Sequence, residues 1–373
     1  MQRLPYLKHA GKLFFKKNAF PEQITFFVTP RCNARCKHCF ALGTLSDSDE
    51  DVLTLREIEK ISSTMGHFTY LLIGGGEPFL RDDLAEIARI FYRNNRVSNV
   101  AISTNGSLPQ VAIKTVKEIL SGSKNNLTVN VSFDAIADLH DEIRQSPGIF
   151  DKAVQTYARL KELKSEYPML NAGIIMTCSP YNYKVLSETY EWLKENLKPY
   201  SIVLNFMRGE VRNNEGLSET ELLAYEKVMK MLEQDNLQGI IPGHSNFFLS
   251  DFNLASKMIM REVVYNTAKT QAFQLPCFAG ILNCVLWYNG DVYPCEMLDK
   301  KMGNLRDSGY DFKKVWDSPQ ARQVRNFIRQ SRCFCTEECN INMNILFNPL
   351  NLPRLLGNVA RIECARLRKR SRR

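Results

Sequence analysis

The sequence predicts an α/β chain: a parallel sheet flanked by helices, then a small cysteine-rich domain and a basic tail. Three observations predict it. Six short apolar runs alternate with longer amphipathic stretches between Ile24 and Phe206, as buried parallel strands alternate with outer helices. Seven of the eleven cysteines lie from Cys277 onward. The last fifteen residues, Val359 to Arg373, hold seven Lys or Arg against one Glu.

Bulk properties set the limits. A chain of 373 residues suits one main domain plus a smaller one, with enough length for a packed core. Its 44% hydrophobic content is that of a globular protein. The absence of an 18-residue apolar run argues against a membrane span. The first residues carry no apolar run ending at a small-residue cleavage site, so no secretory signal is expected and a cytoplasmic location is. There, eleven cysteines read as metal ligands rather than disulfides. The net charge is +9. The tail contributes +6 of it, leaving +3 (9 − 6) for the body, so no nucleic-acid partner is expected.

Residues 1–20 mix basic and apolar side chains (Leu7, Lys8, Leu13, Phe14, Lys16) and read as a short amphipathic arm. From 21 to 235 the strands are expected near 24–29, 69–73, 98–103, 127–133, 171–177 and 201–206. The helices are expected near 54–65, 81–94, 109–121, 149–164 and 183–196. Thr54 with Glu57 three residues on is a capping-box start. Crossovers between parallel strands should be right-handed. Periodicity leaves an open sheet and a barrel equally open. Residues 236–276 read as a helical linker, with amphipathic stretches at Glu219–Glu233 and Phe247–Ala268 on either side of its start. Asn289-Gly290, between two β-rich runs, signals a hairpin inside a 277–345 domain. Residues 346–373 form the tail.

The chemistry concentrates in Cys32-Asn-Ala-Arg-Cys36-Lys-His-Cys39, just after the first strand and Pro30. Structural zinc normally takes four ligands. Three thiolates in eight residues suit a [4Fe–4S] cluster with one iron left open; a zinc knuckle is the competing reading. With this C-x3-C-x2-C spacing the chain resembles the radical S-adenosylmethionine (SAM) superfamily. The resemblance implies a partial (β/α)6 TIM-type barrel, with chemistry at the C-terminal ends of its strands. It also implies SAM bound at the open iron and cleaved by one electron to a 5′-deoxyadenosyl radical.

Loops at the strand ends extend the resemblance. Gly74-Gly75-Gly76-Glu77-Pro78 lacks the Lys-Ser/Thr of a phosphate loop. Glycines admit close approach of a ligand, and a carboxylate can receive an ammonium. The stretch is similar to the family's GGEP motif, which implies Gly75, Gly76 and Glu77 at the methionine amino group. Ser103-Thr-Asn105-Gly106 is similar to the family's STNG stretch and implies Ser103 and Asn105 at the ribose; a plain strand-ending turn reads almost as well. Ser132-Phe-Asp134 followed by His140-Asp-Glu-Ile-Arg144 is similar to a segment of members with extra clusters. It implies Ser132 and Arg144 at the cofactor, the arginine's planar fork suiting a carboxylate. An Asp141–Arg144 surface pair is the alternative. Cys178, just past the fifth strand, reads either as a hydrogen-atom donor to a substrate radical or as a small buried hydrophobe.

Cys277, Gly290 and Cys295 match the start of the family's auxiliary domain, called SPASM or, when shorter, twitch. Cys335 and Cys339 match its end, and Cys333 is displaced from the pattern. The resemblance implies one auxiliary [4Fe–4S] cluster on Cys277, Cys295, Cys335 and Cys339; structural zinc would satisfy the same four. The expected protein is thus a radical SAM enzyme drawing electrons from a donor such as flavodoxin or ferredoxin. It would act on a peptide or protein, or on a small molecule such as a sugar or lipid. A non-enzymatic iron–sulfur electron carrier is the alternative, although a carrier needs no cofactor loops. In the tail, Leu355, Leu356, Val359, Ile362 and Leu367 recur near helical spacing ahead of Arg366–Arg373. This suits either a weak contact with an anionic membrane or a helix capping the auxiliary domain.

Overall fold

The computed structural model describes residues 20–121, 125–208, 218–243 and 250–370. The expected arm, 1–19, lies outside the described residues. Six parallel strands form the barrel sheet in chain order: β1 Gln23–Phe27, β2 Tyr70–Gly74, β3 Asn99–Thr104, β4 Asn126–Ser132, β5 Leu170–Cys178 and β6 Ser201–Phe206. Between them lie α1 Leu55–Thr64, α2 Leu84–Asn95, α3 Pro109–Leu120, α4 Ala137–Arg144, α5 Ile149–Leu163 and α6 Leu186–Trp192. The helical linker holds α7 Glu219–Gln238 and α8 Ser250–Thr270. The C-terminal part holds β7 Asn283–Leu286, β8 Asp291–Tyr293, β9 Gly303–Asn304, α9 Phe312–Trp316, α10 Pro319–Gln330, α11 Glu338–Phe347 and α12 Leu352–Arg370.

Local chemistry places these elements. All five β1 side chains are buried, as expected of a strand covered on both faces. Thr54 and Glu57 form the capping box at α1: Glu57 N donates to Thr54 Oγ1 (3.3 Å), and Thr54 N donates to Glu57 Oε2 (2.7 Å). The Asn289-Gly290 hairpin is present, with Gly290 at φ +89° and β7 antiparallel to β8.

Two features depart from expectation. The segment after β4 is a helix of its own, α4, which presents Arg144 in its last turn. Its eight residues are too few to show a period. The cysteine-rich part also does not stand apart from the barrel. β7 pairs in parallel with β1 (Ile24 beside Cys284, Phe26 beside Leu286), extending the sheet to the order β6-β5-β4-β3-β2-β1-β7-β8-β9. β1 would otherwise be a bare sheet edge with unpaired N–H and C=O groups. The core follows suit: Phe26, Ile73 and Val129 of the barrel and Leu286, Val292 and Trp316 of the C-terminal part belong to one contiguous apolar cluster. Glu57 adds a polar tie, accepting from Arg306 Nε (3.1 Å) and Tyr310 Oη (2.8 Å).

α8 is the hub of the helical layer and packs against α7, α11 and α12. The tail helix α12 therefore lies on the linker helices. Its expected single stripe is split: Leu355 and Ile362 are buried, whereas Leu356 and Leu367 face outward.

Candidate active site

The Cys32–Cys39 loop leaves the C-terminal end of β1 and is pinned from two sides. Arg35 N and Lys37 N donate to Arg144 O (3.2 Å) and Ile143 O (2.9 Å) at the end of α4. On the other side the glycine loop after β2 lies against the turn that leads into Cys32. Gly76 N donates to Thr29 O (2.8 Å) and Glu77 N to Arg31 O (2.7 Å). This contact explains the glycines. Gly75 has φ +125°, and a Cβ there would stand 2.6 Å from Thr29 O. A Cβ on Gly76 would stand 1.9 Å from Arg31 O.

The three thiols are partly exposed and close enough to influence one another. Burial pushes the Cys32 thiol up to about 11, with Glu77 and the other two cysteines adding to the rise. Deprotonating all three together therefore calls for a compensating cation, which iron would supply. Among the described residues no three His, Cys, Asp or Glu side chains meet around one ion-sized point.

Glu77 is 1% exposed. Its carboxylate accepts from Phe79 N (3.2 Å), Thr104 Oγ1 (2.8 Å) and Asn105 N (2.8 Å). Burial raises its pKa against these three neutral donors and the charge of Arg144, and an ammonium beside it would give the carboxylate a further cation. Asn105 Nδ2 donates to Asn33 Oδ1 (2.9 Å), linking the third strand's loop to the cysteine loop. Ser103 and Ser132 are half-buried at the same strand ends.

Arg144 is not a surface residue. Its guanidinium donates to Asp134 Oδ2 (2.6 Å) and reaches Cys36 Sγ (3.9 Å), while its buried Nε lacks a partner. Asp141 instead accepts from Phe150 N (2.8 Å), so the alternative Asp141–Arg144 pair is absent. Burial alone would raise the Asp134 carboxyl, but Arg144 and then His38 and His140 bring it down to about 2. His38 Nε2 lies 3.5 Å from Asp134 Oδ2, and its Nδ1 is buried without a partner. Sequence reasoning missed His38 and ranked Asp134 below Ser132 and Arg144; the signal was present in His38, which lies inside the cysteine motif.

Cys178 is fully buried, its Sγ 3.8 Å from Glu221 O. It packs in the core rather than lining an open cavity.

The second cysteine group lies beside the barrel mouth. Cys277, Cys295 and Cys335 influence one another, and burial pushes Cys277 up to about 11 and Cys295 up to about 12. Cys333, the displaced cysteine, lines one small cavity with Cys277 and Cys335. Cys339 is held chiefly among Glu337, Glu296 and Arg208. Cys284 is buried within β7, near Arg325, and Cys364 is exposed on α12.

Arg208 follows β6 and joins the two groups. It pairs with Glu338, beside Cys339, and with Glu296 (3.2 Å), beside Cys295. Its guanidinium also lies 6.0 Å from the ring of Phe40, the neighbour of Cys39. Sequence reasoning missed it; its place at a strand's C-terminal end was the available signal. Half-buried Lys257 of α8 feels Arg261 and Cys339, and its ammonium forms no ion pair or hydrogen bond among the described residues.

Comparisons with known proteins agree with this arrangement. Residues 26–210 match the radical SAM superfamily model, and residues 277–340 match the SPASM model, an iron–sulfur cluster-binding domain. AdoMet-dependent heme synthase of Methanosarcina barkeri is 25% identical over 316 residues, 82% of this chain and 85% of that protein. The subtilosin biosynthesis protein AlbA of Bacillus subtilis is 30% identical over 156 residues, 39% of this chain and 32% of its own. Among solved structures, anSMEcpe with bound AdoMet and a peptide superposes with TM-score 0.57 at 18% identity, covering 92% of this chain and 99% of that one. Streptococcus suis SuiB bound to S-adenosylmethionine gives TM-score 0.57 at 18% identity, over 86% of this chain and 72% of that one.

Proposed function

The chain belongs to the radical SAM superfamily and carries a SPASM domain, and from that premise we propose that it oxidises a tetrapyrrole side chain, with a cluster on the C-terminal cysteines that would supply electron-accepting chemistry. Four relatives carry tetrapyrrole names: two AdoMet-dependent heme synthases, an Fe-coproporphyrin III synthase and a pre-heme d1 synthase. The observation that carries the substrate class is the M. barkeri match, which runs through most of both chains, barrel and cysteine-rich part alike.

Cys32, Cys36 and Cys39 hold the first cluster. When bound there, the cluster and SAM would supply one-electron chemistry for hydrogen-atom abstraction from the substrate. The chain's own residues position and shield that chemistry. Gly75 and Gly76 let their loop lie against the turn into Cys32 beside the methionine moiety, and Glu77 offers a carboxylate to its ammonium. Arg144 Nε, the donor left over from the Asp134 pair, would serve the methionine carboxylate. Ser103 and Asn105 serve the ribose and Ser132 the cofactor's edge. Cys277, Cys295, Cys335 and Cys339 are the auxiliary ligands. Lys257 offers a cation to a substrate carboxylate, and a flavodoxin or ferredoxin delivers the electron.

Anaerobic incubation with SAM, dithionite and iron coproporphyrin III tests the reading. It expects 5′-deoxyadenosine together with a mass change in the porphyrin. Changing Cys32, Cys36 and Cys39 together to Ala should abolish both. 5′-Deoxyadenosine with an unaltered porphyrin would reject the substrate class while leaving the radical chemistry; 5′-deoxyadenosine from the triple variant would reject the first site.

A further inference from the structure

α11 carries three asparagines, Asn340, Asn342 and Asn344, in ten residues that are otherwise mostly apolar. Asparagine is a poor helix former, and burying its amide costs free energy unless the amide is hydrogen-bonded. Asn342 has a partner that accounts for it: its Oδ1 accepts from Ser256 Oγ of α8 (2.9 Å). Asn340 and Asn344 are buried and, four residues apart, share another face. That face lines the small cavity that Cys277, Cys333 and Cys335 also line. Asn344 is held in one orientation there. Phe278 N donates to its Oδ1 (2.8 Å), so the other end of the amide, Nδ2, is a donor. Phe278 follows Cys277 in the chain, which sets the anchored amide beside the Cys277 thiol. A hydrogen bond from Asn344 opposes the rise that burial imposes on that thiol.

We propose that Asn344 is a positioning residue for the auxiliary iron–sulfur cluster, its Nδ2 donating to the Cys277 thiolate and raising the reduction potential of a cluster bound there. A donor at a ligand sulfur draws off negative charge and so favours the state with one more electron. The surroundings make this useful. Glu296, Glu337 and Glu338 act on Cys339, and negative charge beside a cluster disfavours an added electron. A neutral amide offsets that at Cys277 without burying a further charge. The result is a readier electron acceptor. The inference rests on Cys277 being an auxiliary ligand and is independent of the tetrapyrrole reading.

Anaerobically reconstituted full-length protein is titrated potentiometrically and followed by electron paramagnetic resonance, the auxiliary cluster giving the signal that SAM leaves unperturbed. At a fixed potential near the midpoint, Asn344→Leu should lower the ratio of reduced to oxidised auxiliary cluster about tenfold, which is about 59 mV for one electron. Iron content and circular dichroism should match the wild type. Asn344→Asp keeps the side-chain shape and an acceptor for Phe278 N but loses the donor, so it reads the same quantity if leucine disturbs the helix; its ratio should fall at least as far. Asn342→Leu, on the Ser256 side, is the control and should leave the ratio unchanged. An unchanged ratio in either loaded Asn344 variant overturns the proposal. So does an equal fall in Asn342→Leu, since helix packing would then set the potential. Loss of the auxiliary iron from both Asn344 variants with circular dichroism unchanged also overturns it, because Asn344 would hold the cluster rather than tune it. Cys277→Ala separates the inference from the ligand reading beneath it and should lose the auxiliary signal. Full iron in Cys277→Ala rejects Cys277 as a ligand and the inference with it; lost iron there, with unchanged ratios in the Asn344 variants, rejects the inference alone.

Discussion

Replacing Gly76 by Ala should disable the first cysteine site while leaving the fold nearly intact. The added Cβ would lie 1.9 Å from Arg31 O and 3.1 Å from Cys32 Cβ, whereas ordinary contact begins at 3.4 Å. One side must therefore give by about 1.5 Å (3.4 − 1.9), far more than a packed backbone absorbs without strain. The nearest movable groups are the Arg31 carbonyl, which accepts the Glu77 N–H, and Cys32 next to it. Overpacking of this kind costs about 1–3 kcal/mol, a small loss for a chain of this size. Displacing a reactive group by about 1 Å costs about 100-fold in rate. The expected signature is thus a modest drop in melting temperature with 5′-deoxyadenosine formation down by about two orders of magnitude. The assay pairs thermal denaturation with product analysis after anaerobic reconstitution. Gly43→Ala is the control, because its Cβ would meet nothing within 4 Å. Full 5′-deoxyadenosine formation by Gly76→Ala would refute the argument that the glycine loop and the cysteine loop must touch here.

Three other outcomes follow from the contacts. Asp134→Asn strips the counter-charge from buried Arg144 and should destabilise by about 3–5 kcal/mol in chemical denaturation. Asp134→Leu with Arg144→Met should recover part of that stability but no SAM cleavage. Glu57, lifted by burial but lowered more by Thr54, Arg306 and Tyr310, is held at about 2 against an ordinary 4.5. A depressed carboxyl stabilises the fold above its unfolded pKa and loses that contribution as pH falls toward the folded one. The stability gap between wild type and Glu57→Gln should therefore narrow from pH 4.5 down to about 2 in urea melts; a constant gap would deny Glu57 its charged ties. Cys178→Ala should cost about 1 kcal/mol as a small cavity and leave product unchanged, since its thiol is enclosed; lost product with intact 5′-deoxyadenosine would restore it as a hydrogen donor.

Much of the barrel was legible in the sequence because its signals are local. Strand positions agree within two residues, since a strand buried on both faces needs an unbroken apolar run whatever surrounds it. The Thr54–Glu57 cap and the Asn289-Gly290 turn depend on a few neighbouring residues and appear as read. The cysteine spacing and the glycine loop were legible for the same reason. The sequence also contained every residue of the Asp134–Arg144–His38 cluster. What it could not show was their partners: Arg144 ignores the nearby Asp141 for Asp134, ten residues away, because the fold buries both where water cannot screen them. Likewise only the tertiary structure joined β7 to β1, brought Arg208 to two glutamates 88 and 130 residues later, and divided the tail's leucines between a covered and an open face. Sheet edges, buried ion pairs and helix orientation are settled by which distant surfaces exclude water from one another, and neighbouring residues in a sequence carry no record of that distance.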